Sequence, residues 1–255
     1  MTYEEALSYI HGTIRKGAAP GLGRIQELME RLGNPQEQLS YVHITGTNGK
    51  GSTAAMTASV LRAAGYRVGL YTSPFLWRFN ERMNVDGRDI ADEELAQVTE
   101  LVKPAAQALS DPPTEFELVT AIALCWFAQK QCDIVVLEVG MGGRNDATNV
   151  IPAPEAAVLC NIGLDHTAQL GSTLEAIAEN KSGILKPGCR GVLYPNTAKV
   201  EAVVTGVCRE RGIPLQIADF SQIQVKRSDL SGQILDYKQY PGLYLPLLGA
   251  HQTRN

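Results

Sequence analysis

The sequence predicts an α/β fold, a mainly parallel sheet with helices on both faces and an antiparallel edge section near the C-terminus. Three observations predict it. From residue 41 onward, short β-rich runs alternate with stretches of helical length, the pattern of strands joined by helical crossovers. Runs such as DIVVLEV and AAVLCNI are almost wholly apolar, as strands covered on both faces must be. Between Ile223 and Leu248 the pattern turns to polar–apolar alternation, broken by Ser231-Gly232 and Pro241-Gly242, which suits antiparallel strands.

Taken in order, YVHIT is the first clear strand, followed by a helix from Ser52 to Ala64 that Gly65 stops, then the strand YRVGLYT. Together they make a βαβ unit. Thr114 and Glu117 form a capping box that opens a helix to about Lys130, and DIVVLEV follows as a buried strand. AAVLCNI is the next strand. Ser172 with Glu175 caps a helix that Lys186-Pro187-Gly188 ends. RGVLYP, a helix near 197–212 and PLQIA complete the series. No internal repeat or low-complexity linker interrupts it.

At 255 residues and 44% hydrophobic content, the chain can bury a large core without staples. A formal charge of -4 with mixed signs provides no basic stripe for a nucleic-acid backbone, so nucleic acid is not an expected partner. The five cysteines are widely spaced, odd in number and without a C-x-x-C pair, which fits buried thiols in a reducing compartment. MTYEEALSYIHGTI is acidic and amphipathic, unlike a secretory signal, and the longest apolar run is too short to cross a bilayer. A soluble cytoplasmic protein, not bound to membrane, is expected.

The segment TGTNGKGS lies between the first strand and the first helix of the βαβ unit. Gly46, Gly49 and Gly51 let backbone N–H groups of Gly46, Thr47, Asn48, Gly49, Lys50 and Gly51 turn toward phosphate oxygens. The helix N-terminus adds its positive end and Lys50 a mobile cation. A hydroxyl at Ser52 or Thr53 is placed to reach a magnesium ion or a phosphate oxygen. The fold is therefore P-loop-containing, against the simpler possibility of a glycine-rich turn. A second site candidate is Glu138, an acid at the far end of the apolar run IVVL, where parallel sheets border their ligand crevice. It is placed to hold magnesium; the competing possibility is a buried pair with Arg144.

The spacing of GTNGKGS departs from the common P-loop and resembles that of the Mur ligase superfamily, in particular its folylpolyglutamate synthase and dihydrofolate synthase branch. Further segments carry the resemblance. EVGMGGRNDATN is similar to the branch's EVGLGGRLDATN, with Met141 and Asn145 each in place of leucine. NIGLDHTAQLG contains its GLDH, and ENKSGILKPG its E-K-x-G-I-x-K-x-G. YTSPFLWRFNERMNVDGRDI resembles the TSPHL...ER...NG loop, with Phe75 for histidine and Asp86 for asparagine. GLGRIQELMERLGNPQ resembles the FGLxR...LGNPQ opening, and LLGAHQTRN the LxGxHQxxN junction to a further domain.

The resemblance implies an enzyme that uses ATP and Mg2+ to join L-glutamate to a folate or dihydropteroate carboxylate. It implies ATP contacts at residues 46–52 and Asn255, magnesium ligands at Ser73, Glu138 and His166, and catalytic roles for Lys50, Lys181 and His166. Lys181 corresponds to a lysine that is carbamylated in the family; without the motif it would be taken for a surface helix charge. Phe75, Arg82, Asp146 and Ala147 correspond to substrate-binding positions, although ordinary loop packing also uses such aromatics. The implied organisation is an ATP-binding domain at 1–247 and, at 248–255, the stub of a linker to a glutamate-binding domain, in a monomer. Two other functions are compatible with the residues: a Mur-type ligase for a cell-wall amino sugar, and a nucleotide-binding module without catalysis.

Overall fold

The computed structural model describes residues 1–13 and 21–255. Helices α1 (Tyr3–Gly12) and α2 (Gly23–Arg31) precede β1 (Ser40–Thr45), α3 (Lys50–Ala63) and β2 (Val68–Tyr71). A short hairpin, β3 (Met83–Val85) and β4 (Arg88–Asp89), leads into α4 (Asp92–Gln107), α5 (Glu115–Gln129) and β5 (Ile134–Glu138). Then come β6 (Ala156–Leu159), α6 (Thr167–Leu170), α7 (Leu174–Lys181), β7 (Arg190–Leu193), α8 (Ala198–Arg211) and β8 (Leu215–Ile217). Three strands close the chain: β9 (Ile223–Asp229), β10 (Gly232–Tyr237) and β11 (Tyr240–Leu245).

The main sheet has the order β4-β3-β2-β5-β1-β6-β7-β8, parallel from β2 through β8. Alternate side chains sort its strands onto two faces, as the period of 2 requires. Tyr41, Tyr71, Val135 and Leu137 join the core beneath α1, α2, α4 and α5, while Val42, Ile44, Val68 and Val136 join the cluster that contains Ala54 and Ala58 of α3. A third cluster binds α7 and α8 to β6 and β7. At Gly69 of β2 a Cβ would stand 2.8 Å from the Phe127 ring, so glycine there lets α5 lie close on the sheet. All five cysteines are buried and unpaired. Among the described residues no helix is long and apolar enough to cross a membrane.

Three expectations shift. α3 begins at Lys50 rather than Ser52, because Gly49, with φ +87°, is itself the N-cap. α7 is capped by Thr173, whose hydroxyl accepts the Ala176 N–H, and it ends at Lys181, giving way to a 3-10 turn at Ser182–Ile184. The antiparallel section between 223 and 248 is present, but as a sheet of its own, β11-β10-β9; the antiparallel edge of the main sheet is the β3–β4 hairpin. There Asp86 and Gly87 both have positive φ, the backbone that a tight two-residue turn between twisted strands demands.

Candidate functional site

β1 sits between β5 and β6, and its connection through α3 leads one way along the sheet while β6 leads the other. A crevice opens at the carboxyl ends of the strands where the order reverses in this manner. The loop leaving β1 is tied into that crevice. Thr47 N–H donates to Asn161 O at 2.7 Å, and its hydroxyl exchanges hydrogen bonds with Gly163 N and O at 3.0 and 3.1 Å. At Gly46 a Cβ would stand 2.6 Å from Cys160 Cβ, so only glycine allows the loop to pass this close to the end of β6. Lys50 Nζ folds back to donate to Thr47 O at 3.3 Å.

Glu138, 4% exposed, ends β5 beside the first turn of α3: a Cβ on Gly51 would stand 3.5 Å from its Oε2. Ser73 N–H donates to that oxygen at 3.1 Å. Burial raises the carboxyl's pKa, and the Ser73 N–H and the nearby Lys50 charge oppose the rise. Arg144 pairs with Glu179 at 3.1 Å, so the competing Glu138–Arg144 pair does not form. Lys181 is 3% exposed, and its amine donates to Gly46 O at 2.9 Å. Burial first, and Lys50 second, lower its pKa to about 8. The surface-charge alternative for Lys181 therefore fails.

His166 differs from these buried residues in exposure. It is half exposed, has φ +47° at the head of α6, and lies 3.7 Å from Asp165. Among the described residues no three His, Cys, Asp or Glu side chains gather as a metal cage. A nucleotide-bound magnesium ion needs only one or two protein oxygens, the rest coming from phosphates and water. Glu138 fits that requirement: it is buried, has no ion-pair partner among the described residues, and stands at the helix end that would receive phosphates.

Two cavities lie near these residues. One, of about 510 Å³, is lined by Asn48, Gly49 and Ser52 from the loop and α3, by Asn161 and Tyr194 from the ends of β6 and β7, and by His251, Gln252 and Asn255. Thr53 Oγ1 donates to the Asn255 carbonyl at 3.1 Å, which ties Asn255 to α3. The other cavity, of about 500 Å³, is lined by Ser73, Arg82, Phe116, Gly140, Asp146 and Ala147, together with Arg24 and Glu117 from α2 and α5. The Arg82 guanidinium lies 5.4 Å from both the Phe75 and Phe79 ring centres, and its Nε is buried without a hydrogen-bond partner among the described residues. Phe75 is not on the cavity wall; it packs against the core cluster. Trp77 is 88% exposed and Phe79 is in the core.

Asn161, Tyr194, Arg24 and Glu117 were not anticipated as site residues. The first two follow the same strand-end rule that found Glu138, whereas Arg24 and Glu117 meet across 93 positions of sequence and had no local signal.

Residues 44–255 match the Mur ligase middle domain family. The chain belongs to that family. Among curated relatives, the dihydrofolate synthase/folylpolyglutamate synthase of Bacillus subtilis is 40% identical, with 99% of this chain and 61% of that protein covered. The folylpolyglutamate synthase of Lacticaseibacillus casei is 42% identical, with 100% and 62% covered. A solved FPGS–AMPPCP–folate complex superposes with a TM-score of 0.92 at 40% identity, covering 100% of this chain and 64% of the other. The folylpolyglutamate synthase of Thermotoga maritima superposes with 0.89 at 36% identity, covering 99% and 59%. The chain thus spans about three-fifths of the length of the relatives it matches.

Proposed function

We propose that the protein is an ATP-dependent ligase that joins L-glutamate to the carboxylate of a folate or dihydropteroate through an acyl phosphate. The observation that carries this is the link between one phosphate loop and two cavities: Gly49 and Ser52 wall the first, while Gly51 lies beside the buried Glu138, whose hydrogen-bond partner Ser73 walls the second. An ATP with its base in the first cavity extends its γ-phosphate over the start of α3, toward a carboxylate held in the second. The relatives' names and the FPGS–AMPPCP–folate complex support the same pair of ligands.

Within that arrangement the loop N–H groups and Lys50 bind and orient the phosphates, and Lys50 offsets charge on the phosphoryl group in transfer. The acceptor carboxylate attacks the γ-phosphorus in line and ADP leaves. The glutamate amine then attacks the acyl carbon, and phosphate leaves as the amide forms and the amine loses its proton. Glu138, with Ser73 at its side, would hold Mg2+. Bound there, Mg2+ would offset phosphate repulsion and polarise the phosphoryl oxygens. His166 belongs to the proposed metal set by resemblance alone. Arg82, Asp146 and Ala147 wall the proposed acceptor site, and Asn255 the nucleotide site.

Carbamylation of Lys181 is part of the proposal. With a pKa of about 8, about a tenth of the amine is neutral at pH 7 and able to add to carbon dioxide, releasing a proton. We also place the ATP-binding domain at 1–247, the approach to a glutamate-binding domain at 248–255, and the protein in the cytoplasm as a monomer.

The test is a coupled assay on the whole gene product, with dihydropteroate or folate, L-glutamate and Mg-ATP. Phosphate release that requires all three substrates, with a product one glutamyl residue heavier by mass spectrometry, is expected. Nucleotide binding without any product in either case would leave a nucleotide-binding module and refute the ligase.

A further inference from the structure

β1 divides its side chains by parity. Val42 and Ile44 enter the cluster beneath α3, whereas Tyr41, His43 and Thr45 reach the opposite side, and each of these makes a hydrogen bond. Two of those bonds hold the segment that walls the second cavity. Thr45 Oγ1 donates to Gly142 O at 2.5 Å, and His43 Nε2 lies 2.8 Å from Thr148 Oγ1. Thr148 in turn bonds Asp146, one of the two carboxylates on the cavity wall with Glu117: its N–H and its hydroxyl reach Oδ1 at 3.0 and 2.5 Å, and Met141 N–H reaches Oδ2 at 2.9 Å.

Counting hydrogens fixes the direction of this chain. Burial raises the Asp146 pKa, and the Thr148 and Met141 donors oppose the rise; with a backbone N–H on each of its oxygens the carboxylate accepts, so the Thr148 hydroxyl gives its one hydrogen to Asp146. The hydroxyl then accepts from His43, which must carry its hydrogen on Nε2. The other ring nitrogen, Nδ1, is buried without a partner among the described residues, and a bare lone pair there costs less than an orphaned N–H. Burial, with the Lys186 charge nearby, lowers the His43 pKa to about 3, so the ring is neutral and has only one hydrogen to place. No surface of His43 is exposed, and it lines neither cavity; its hydrogen bond goes to Thr148.

We infer that His43 and Thr148 are positioning residues: they fix Asp146 as a hydrogen-bond acceptor on the cavity wall and so select ligands that present an amino or ring N–H there. This role rests on the acceptor-site reading of that cavity. Thr148→Val removes the hydroxyl with little change of shape, Thr148→Ser keeps it, and His43→Leu removes the donor behind it.

The experiment is calorimetric titration of the chain with dihydropteroate and, separately, AMP-PCP. Loss of one such hydrogen bond is expected to weaken dihydropteroate about tenfold in T148V, and T148S is expected to recover most of that loss. AMP-PCP affinity is expected to stay the same throughout. Because His43 acts through Thr148, H43L added to T148V should weaken binding no further. Wild-type affinity in T148V, or losses that add in the double variant, would overturn the inference. Should the wild-type chain bind no dihydropteroate, the acceptor-site reading fails, and ligand selection with it. The relay is still judged separately by long-range 15N–1H NMR of His43 at neutral pH: an Nε2–H tautomer is expected, and an Nδ1–H tautomer would overturn it.

Discussion

Gly49 shows how closely one residue can tie the loop after β1 to Asn255. It has φ +87°, and a Cβ there would stand 2.5 Å from Asn255 Oδ1. Gly65, at the end of α3, has φ +94° with nothing within 4 Å. Alanine at either position carries the left-handed backbone penalty, roughly 1–2 kcal/mol. Only Gly49→Ala should also displace Asn255 and weaken AMP-PCP binding. Urea melts matched with nucleotide titrations check this: similar losses of stability, but a loss of affinity in G49A alone. Lys181, kept as the free amine in buffer stripped of carbon dioxide, makes a second, pH-dependent case. Its folded pKa of about 8 lies below the ordinary value of 10.5, so between those pH values the unfolded chain binds more protons and stability rises with pH. Below pH 8 the cost of burying the ammonium is present in full. Lys181→Met removes that cost, so its stability relative to wild type should fall by up to roughly 3 kcal/mol from pH 7 to pH 10. Lys186, also lowered to about 8, is common to both proteins and cancels. A pH-independent difference between the two melts would contradict the assignment.

Among the elements, α5 was the most fully legible. Thr114 and Glu117 cap each other as expected, with Glu117 N–H to Thr114 Oγ1 at 3.3 Å and Thr114 N–H to Glu117 Oε2 at 2.7 Å. Glu117 also accepts from Arg24 Nε, joining α5 to α2 at the second cavity. Thr114→Ala should therefore cost about 1 kcal/mol in a urea melt and leave AMP-PCP affinity unchanged, since the first cavity lies elsewhere. An unaltered melt would show the cap to be idle. Boundaries were less legible where backbone geometry outranks side-chain pattern. Gly49 caps α3 from a left-handed conformation that no polar side chain announces. Thr173 and Ser172 are neighbours equally able to cap α7, and tertiary packing chooses between them. The Asp86-Gly87 hairpin had a usable local signal, but its two strands are too short to stand out as alternating runs. In YVHIT the strand was evident, yet its buried histidine gave a further signal: a polar side chain inside a central strand needs a partner, and that partner, Thr148, lies 105 residues away.

At the scale of the whole molecule, the order of strands places the site. With β1 between β5 and β6, the loop after β1, the acid ending β5 and the polar residues after β6 converge on one crevice. That convergence was legible because strand ends are marked in the sequence and parallel sheets put their ligands there. The walls contributed by α2 and α5 were not, since they depend on helix packing over long separations, and the independence of the β9–β11 sheet depends on docking that alternation alone does not specify. The central claim is that the loop between β1 and α3 grips a triphosphate with magnesium. Its most direct test is calorimetric titration of the chain with AMP-PCP, with and without Mg2+, in the wild type and Lys50→Ala. One bound nucleotide per chain is expected, tighter with Mg2+ and weakened about 10- to 100-fold in K50A, the scale of a lost charge-assisted contact. A well-folded chain that takes up no nucleotide, or a K50A variant that binds as tightly as wild type, would contradict it.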